Sequence, residues 1–262
     1  MTKSCAEPKE GSTRLAAGVL LAVRRADVVT VTLNRPEARN AMSTAMLDQL
    51  AALLRELVRS GANAPRALVV SGSGEHFCSG ADIREDDWRD MSRRAVRRAH
   101  FRDVLALLHE APFPLVAAVE GYALGGGLEL GMACDLVVAG RGARFGLPEL
   151  GVGAVPGGGA VHSLLRKAGR GAAARMLLAP GERLTAVELE ALGAVERTVA
   201  DGAALVEAEQ WAQSLAALEP RLVTAGVRLL RDSGHLDRTA ALGVENGYWW
   251  EAAARSTAPA DD

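Results

Sequence analysis

The sequence predicts an α/β protein built on a mostly parallel sheet and completed by a helical C-terminal region. Three observations carry that reading. Short, continuous apolar runs at Ala67–Val70, Leu115–Val119 and Leu136–Ala139 suit strands buried on both faces. The segments between them are long enough for turn-and-helix crossovers, which parallel strands require. After Gly157-Gly158-Gly159 the chain reads almost entirely as helix. With 262 residues, 49% of them hydrophobic, there is ample material for a large buried core.

In chain order, residues 1–14 read as a flexible tail. Val19–Val23 and Val28–Leu33 form a hairpin around Arg25-Ala26-Asp27, with Val29, Val31 and Leu33 alternating with Thr30 and Thr32 as in a half-buried strand. A helix is predicted over about 43–60, capped by Ser43, with Met46, Leu50, Leu53, Leu54 and Leu57 as its apolar stripe. Residues 84–109 read as helical, in one or two pieces, ended by Pro112 and Pro114. A glycine-rich turn at Gly125-Gly126-Gly127 leads into a helical run through Cys134. Thr185 and Glu188 form a capping box, and Val195–Val199 reads as a last short strand. Helices follow over 201–218, 221–232 and 236–255. The organisation is thus a tail (1–14), an α/β core (15–200) and a helical C-terminal region (201–262).

Composition narrows the function. Thirty basic and 32 acidic side chains give a net charge of −2, so nothing global draws the chain to nucleic acid or an anionic membrane. The longest uncharged stretch, Leu150–Leu165, is broken by Pro156 and a glycine cluster and does not suit a membrane span. Met1–Thr13 lacks a signal-peptide pattern. Three irregularly spaced cysteines (Cys5, Cys78, Cys134) make neither a metal-ligand pattern nor a disulfide framework, so a cytoplasmic location is expected.

The informative segment is Gly125-Gly126-Gly127-Leu128-Glu129. Glycines directly after a strand allow close backbone approach to a ligand. A phosphate loop would need Lys-Ser/Thr where Leu128-Glu129 stands. A backbone N–H aimed at a developing oxyanion is the better reading. Glu129 falls in the first turn of the following helix, and Glu149 follows twenty residues later in Phe145-Gly-Leu-Pro-Glu149. A helix leading into a buried strand and back could bring both carboxylates to one pocket for acid/base work. Spacing alone leaves a second reading open, in which Glu129 stabilises a helix N-terminus and Glu149 sits on the surface.

Taken together, five segments resemble the enoyl-CoA hydratase/isomerase (crotonase) family: Leu33-Asn-Arg-Pro-Glu-Ala-Arg-Asn-Ala-Met42, Phe77-Cys-Ser-Gly-Ala-Asp-Ile83, Gly121 through Asp135, Phe145 through Glu149, and Pro156-Gly-Gly-Gly159. They occur in the family's order and spacing across about residues 18–200. The resemblance implies a spiral of ββα units with a helical region that forms trimers, or dimers of trimers. It implies an acyl-CoA substrate whose enolate is held by the backbone N–H groups of Ala81 and Gly126, beside Gly125. Glu129 would activate water for attack at C3, and Glu149 would deliver a proton to C2. Arg39, Asn40 and Ala41 match the loop along the pantetheine and phosphates, and Ser79, Asp82 and Ile83 match the turn that receives the adenine. No cofactor or metal is implied, since coenzyme A belongs to the substrate.

The function implied is enoyl-CoA hydratase. A biosynthetic dehydratase or double-bond isomerase acting on a CoA- or carrier-protein-bound acyl group is one alternative, and a non-catalytic partner subunit of the same fold is another. Three features depart from the family pattern. Val161-His162-Ser163-Leu164 replaces a Thr-Gln-Arg-Leu run, and His162 is expected to be structural or at a subunit contact. The family's closing helix motif is missing, and Trp249 and Trp250 stand in the last helix, to cover a pocket, fill an interface or pack in the core. Arg93, Arg94, Arg97, Arg98 and Arg102 crowd one helix, facing phosphates, an acidic carrier, or solvent with Asp86, Asp87 and Asp90 as partners. Trp88, Met91 and Phe101 are candidates to shape the acyl site. Cys78 is expected to be a small buried thiol rather than a nucleophile.

Overall fold

The computed structural model describes residues 12–85 and 90–256. Its elements, in order, are β1 (Ser12–Ala16), β2 (Leu20–Arg25), β3 (Val28–Leu33), α1 (Thr44–Arg59), β4 (Ala67–Gly72), α2 (Met91–Glu110), β5 (Leu115–Val119), β6 (Tyr122–Leu124), α3 (Gly126–Met132), β7 (Leu136–Gly140), β8 (Arg144–Gly146), α4 (Ala160–Lys167), α5 (Gly169–Leu178), β9 (Leu184–Thr185), α6 (Ala186–Ala191), β10 (Arg197–Val199), α7 (Ala204–Ala216), α8 (Pro220–Ser233) and α9 (Arg238–Ser256).

The apolar runs do form strands of one sheet, ordered β1-β2-β3-β4-β5-β7-β10. The first two pairings are antiparallel and the rest parallel. Both faces are covered. On one side the main core holds Val29, Val31, Leu33, Leu68, Leu115 and Val137 together with the α1 stripe. On the other, Val28, Val69, Val116 and Val138 meet Ala204, Ala208, Ala212 and Ala216 of α7. Alanines four residues apart form one smooth helix face, which lets the helix lie close on the strands. This second layer corrects the half-buried reading of β3: Thr30 is also buried, and its hydroxyl donates to Glu209 Oε1 at 2.8 Å.

The local stop and start signals act as expected. Ser43 Oγ accepts from Met46 N at 3.2 Å at the start of α1, and the Thr185–Glu188 capping box closes reciprocally at α6. Ala26 takes φ 51° at the β2–β3 turn. Two features differ from expectation. The edge strand β1 begins at Ser12, inside the segment read as tail, and pairs with β2. A second small sheet, β6-β8-β9, is separate from the main one and carries the turns that build the site. The expected tail ends (1–11 and 257–262), with Cys5, and the segment 86–89, with Asp86, Asp87 and Trp88, lie outside the described residues.

The helical end is tied to the core by one buried ion pair. Arg231 of α8 bonds both oxygens of Asp135, at 2.8 and 2.7 Å, and donates to Ala111 O at 2.7 Å. Both side chains are under a tenth exposed. Little else of α8 is buried, Val227 alone being below the surface.

Candidate active site

Two backbone bridges set the site. Phe77–Ala81 runs between the loop after β3 and strand β6, bridging Met42 at Ala81 and Ala123 at Cys78. In the first bridge Met42 N donates to Gly80 O at 2.8 Å, and Asp82 N donates to Met42 O at 3.0 Å. The flanking residues therefore make the bonds, and the N–H of Ala81 turns to the opposite side, into a cavity of about 1060 Å³. Gly125 then turns the chain with φ 52° and ψ −125°, a region open to glycine alone. That turn brings Gly126 to the same wall: a Cβ built on Gly126 would stand 3.8 Å from Ala81 N. Neither N–H finds an acceptor among the described residues. Two free donors side by side on a cavity wall suit one developing oxyanion.

Three residues past Gly126, Glu129 is buried in the first turn of α3. Its Oε1 accepts from Gly157 N at 2.9 Å and from Gly158 N. The glycine run after Pro156 thus grips the carboxylate by backbone. Gly158 has no room for a side chain, because a Cβ there would lie 2.8 Å from Glu129 Cδ and from the Phe101 ring.

Glu149 opens a 3-10 turn (Glu149–Val152) after β8 and faces the same cavity. Its Oε1 lies 2.8 Å from where a Cβ of Gly125 would be, and its Oε2 is buried without a hydrogen-bond partner among the described residues. Burial first, and the nearby Glu129 carboxylate second among the raising effects, push the Glu149 carboxyl up to about 6, against the pull of its own backbone N–H and Arg183.

The cavity also takes in Arg39, Ala41, Ser79, Asp82, Ile83 and Gly125, so these predicted contacts line the same cavity as the two glutamates. Asn40 does not reach it. The side chain is fully buried, donating to Ser73 O and His76 O and accepting from Arg35 N at 2.9 Å. Its part is to hold the Arg39–Ala41 loop, where Arg39 and Asn40 both adopt left-handed backbone. Asp82 is also partly structural. Burial opposes its charge, but the Arg35 guanidinium at 2.7 Å and the Arg84 N–H hold the carboxyl below its ordinary value. Cys78 is buried and its thiol is pushed up to about 12 by that burial, as befits an inert packing residue.

The crowded arginines do not share one fate. Arg93 pairs with Asp90 at 3.4 Å. Arg97 is buried and donates to Asp82 O at 2.8 Å. Arg98 reaches Gly157 O at 3.0 Å. Met91 and Phe101 line the cavity, as do Arg94, Arg97 and Arg98. The position of Arg98 was not legible in sequence, because nothing distinguishes it from its neighbours until the Pro156–Gly159 loop is in place.

Comparison with known proteins follows the same lines. Residues 24–244 match the family model Enoyl-CoA hydratase/isomerase. The 2,3-dehydroadipyl-CoA hydratase of Escherichia coli (strain K12) is 37% identical over 227 residues, covering 86% of this chain and 87% of that one. Mevalonyl-coenzyme A hydratase SIDH of Beauveria bassiana (strain ARSEF 2860) is 38% identical over 202 residues, covering 74% of this chain and 71% of its own. A crystal structure of enoyl-CoA hydratase from Mycobacterium smegmatis superposes with a TM-score of 0.84 at 33% identity, covering 93% of each chain. Solved structures of this kind share the whole spiral fold, and the chain belongs to the enoyl-CoA hydratase/isomerase family, with the crotonase fold.

Proposed function

We propose that the protein is an enoyl-CoA hydratase, adding water across a trans-2-enoyl-CoA thioester. The observation that carries this is the meeting of Glu129 and Glu149 at one cavity with the unpaired N–H groups of Ala81 and Gly126. The names of the hydratase relatives agree with it. The thioester oxygen rests on the two N–H groups, which stabilise charge there without reorganising. Water attacks C3 while Glu129, fixed by Gly157 and Gly158, takes its proton. The electron pair moves to the thioester oxygen, and the enolate collects a proton at C2 from Glu149. The raised affinity of Glu149 for a proton suits a donor at that point. The thioester itself acidifies C2, so the scheme calls for no cofactor.

CoA lies on the Arg39–Ala41 and Ser79–Ile83 side in this reading. The enzyme works in the cytoplasm, in keeping with the free, buried thiols of Cys78 and Cys134. No described helix is long and apolar enough to cross a membrane. Assembly into trimers uses the apolar face of α8 and α9, where Leu222, Leu230 and Trp249 are more than half exposed.

The test is loss of enoyl-thioester absorbance on crotonyl-CoA. The wild type is expected to hydrate it and both Glu129→Gln and Glu149→Gln to be slow. Variants as fast as wild type would remove the two-glutamate scheme.

A further inference from the structure

We propose that Arg98 receives a carboxylate at the far end of the acyl chain, so that the preferred substrate is a short 2-enoyl thioester of a dicarboxylic acid. The inference rests on the hydratase reading and names the substrate class for that same site.

Arg98 projects from α2 onto the cavity wall, and its Nη2 donates to Gly157 O at 3.0 Å. The guanidinium lies where a side chain at position 157 would begin: a Cβ on Gly157 would stand 1.7 Å from Nη2. A side chain at 157 would displace it from this position. A guanidinium carries five N–H donors, and the bond to Gly157 uses one of them. No carboxylate among the described residues pairs with Arg98, whereas Arg93 has Asp90 and Arg35 has Asp82. The charged head is thus placed at the cavity with donors to spare.

Its distance from the chemistry fits a short chain. The Gly157 residue that accepts from Arg98 through its carbonyl also donates to Glu129 Oε1 through its N–H, at 2.9 Å. Arg98 Nη2 is therefore within about 10 Å of the carboxylate that faces C3, given the span of a single residue. A chain two to four carbons beyond C3 covers that gap. Phe101, Val155 and Pro156 also line the cavity and offer apolar surface to methylenes. A methyl terminus gains nothing from a guanidinium, whereas a carboxylate gains a paired, charge-assisted contact. The cation also offsets the repulsion a second carboxylate would meet from Glu129.

The experiment compares kcat/KM for trans-2-hexenoyl-CoA and for the six-carbon trans-2-enoyl-CoA with a terminal carboxylate. The wild type is expected to favour the carboxylated ester by about 10- to 100-fold. Arg98→Met lowers both esters by a shared factor through Gly157 and abolishes the preference, and Arg98→Lys keeps part of it. Equal use of the two esters by wild type, or a preference that survives Arg98→Met, would overturn the proposal. Calorimetry with saturated hexanoyl-CoA and its ω-carboxylate counterpart reads the receptor without chemistry. Tighter, Arg98-dependent binding of the carboxylated ester, with no hydration of either enoyl ester, would keep the receptor and remove the hydratase reading. Equal binding would remove the receptor itself.

Discussion

The two carboxylate-bearing walls of the cavity hold their charges in opposite ways. On the α3 wall, Glu129 is buried and gripped by two backbone N–H groups of the Gly157–Gly158 turn. On the 3-10 wall, Glu149 has one oxygen buried without a partner among the described residues and a carboxyl pushed up to about 6. The first arrangement fixes an acceptor in place. The second favours a group that picks up and releases a proton. Two identical side chains at one cavity thus sit in surroundings that suit different work.

The largest break in that comparison comes from removing charge while keeping shape. Glu129→Gln and Glu149→Gln are each expected to lower kcat on crotonyl-CoA by about 10²–10⁴-fold. The double variant should be little slower than the worse single one, since the two act as a unit. Steady-state kinetics with matched circular dichroism checks this.

Glycine variants strike each wall through its backbone. Gly158→Ala puts a methyl against Glu129 and the Phe101 ring, and kcat should fall about 10²-fold with little change in Tm. Gly125→Ala also crowds Glu149, but it forces an alanine to φ 52° as well, so kcat and stability should fall together, by on the order of 1–3 kcal/mol for the strain. Thermal melts beside kinetics separate the two.

The pH dependence sharpens the comparison further. In the proposed scheme hydration uses protonated Glu149, so kcat/KM in that direction should fall as pH rises through about 6. Dehydration uses the ionised form and should rise across the same range. The smallest effect is on stability. The folded protein holds the Glu149 proton more tightly than the usual value of 4.5, so stability is fully present below 4.5 and part of it is lost as pH rises through about 6. Glu149→Gln should therefore stabilise the protein above pH 6 by on the order of 1 kcal/mol, partial exposure allowed for, and change little near pH 4. Denaturant melts at both pH values measure it.

The two walls were unequally legible in the sequence. Glu129 was placed by local rules: glycines after a strand, then the first turn of a helix. The position of Glu149 depends on β6, β8 and β9, which are two or three residues long and too short to show a period. Spacing left its role open, and only the family motifs singled it out. The main strands and α1 were readable because burial on both faces demands unbroken apolar runs. The polar edge strand β1 reads as tail because it is five residues long and Ser12, Thr13 and Arg14 carry no core signal. The burial of Asn40 was not legible because two of the backbone groups that hold its amide, at Ser73 and His76, lie more than thirty residues away in sequence. Trp249 and Trp250 are each 60% exposed, which removes packing in this chain's own core from the readings open to them.

The division of labour between the walls is tested most directly by exchange at C2. Saturated butyryl-CoA is incubated in D₂O with each variant, and deuterium at C2 is followed by mass spectrometry. Wild type and Glu129→Gln are expected to exchange, because Glu149 alone moves that proton, and Glu149→Gln is expected not to. Exchange that persists in Glu149→Gln and vanishes in Glu129→Gln would contradict the assignment.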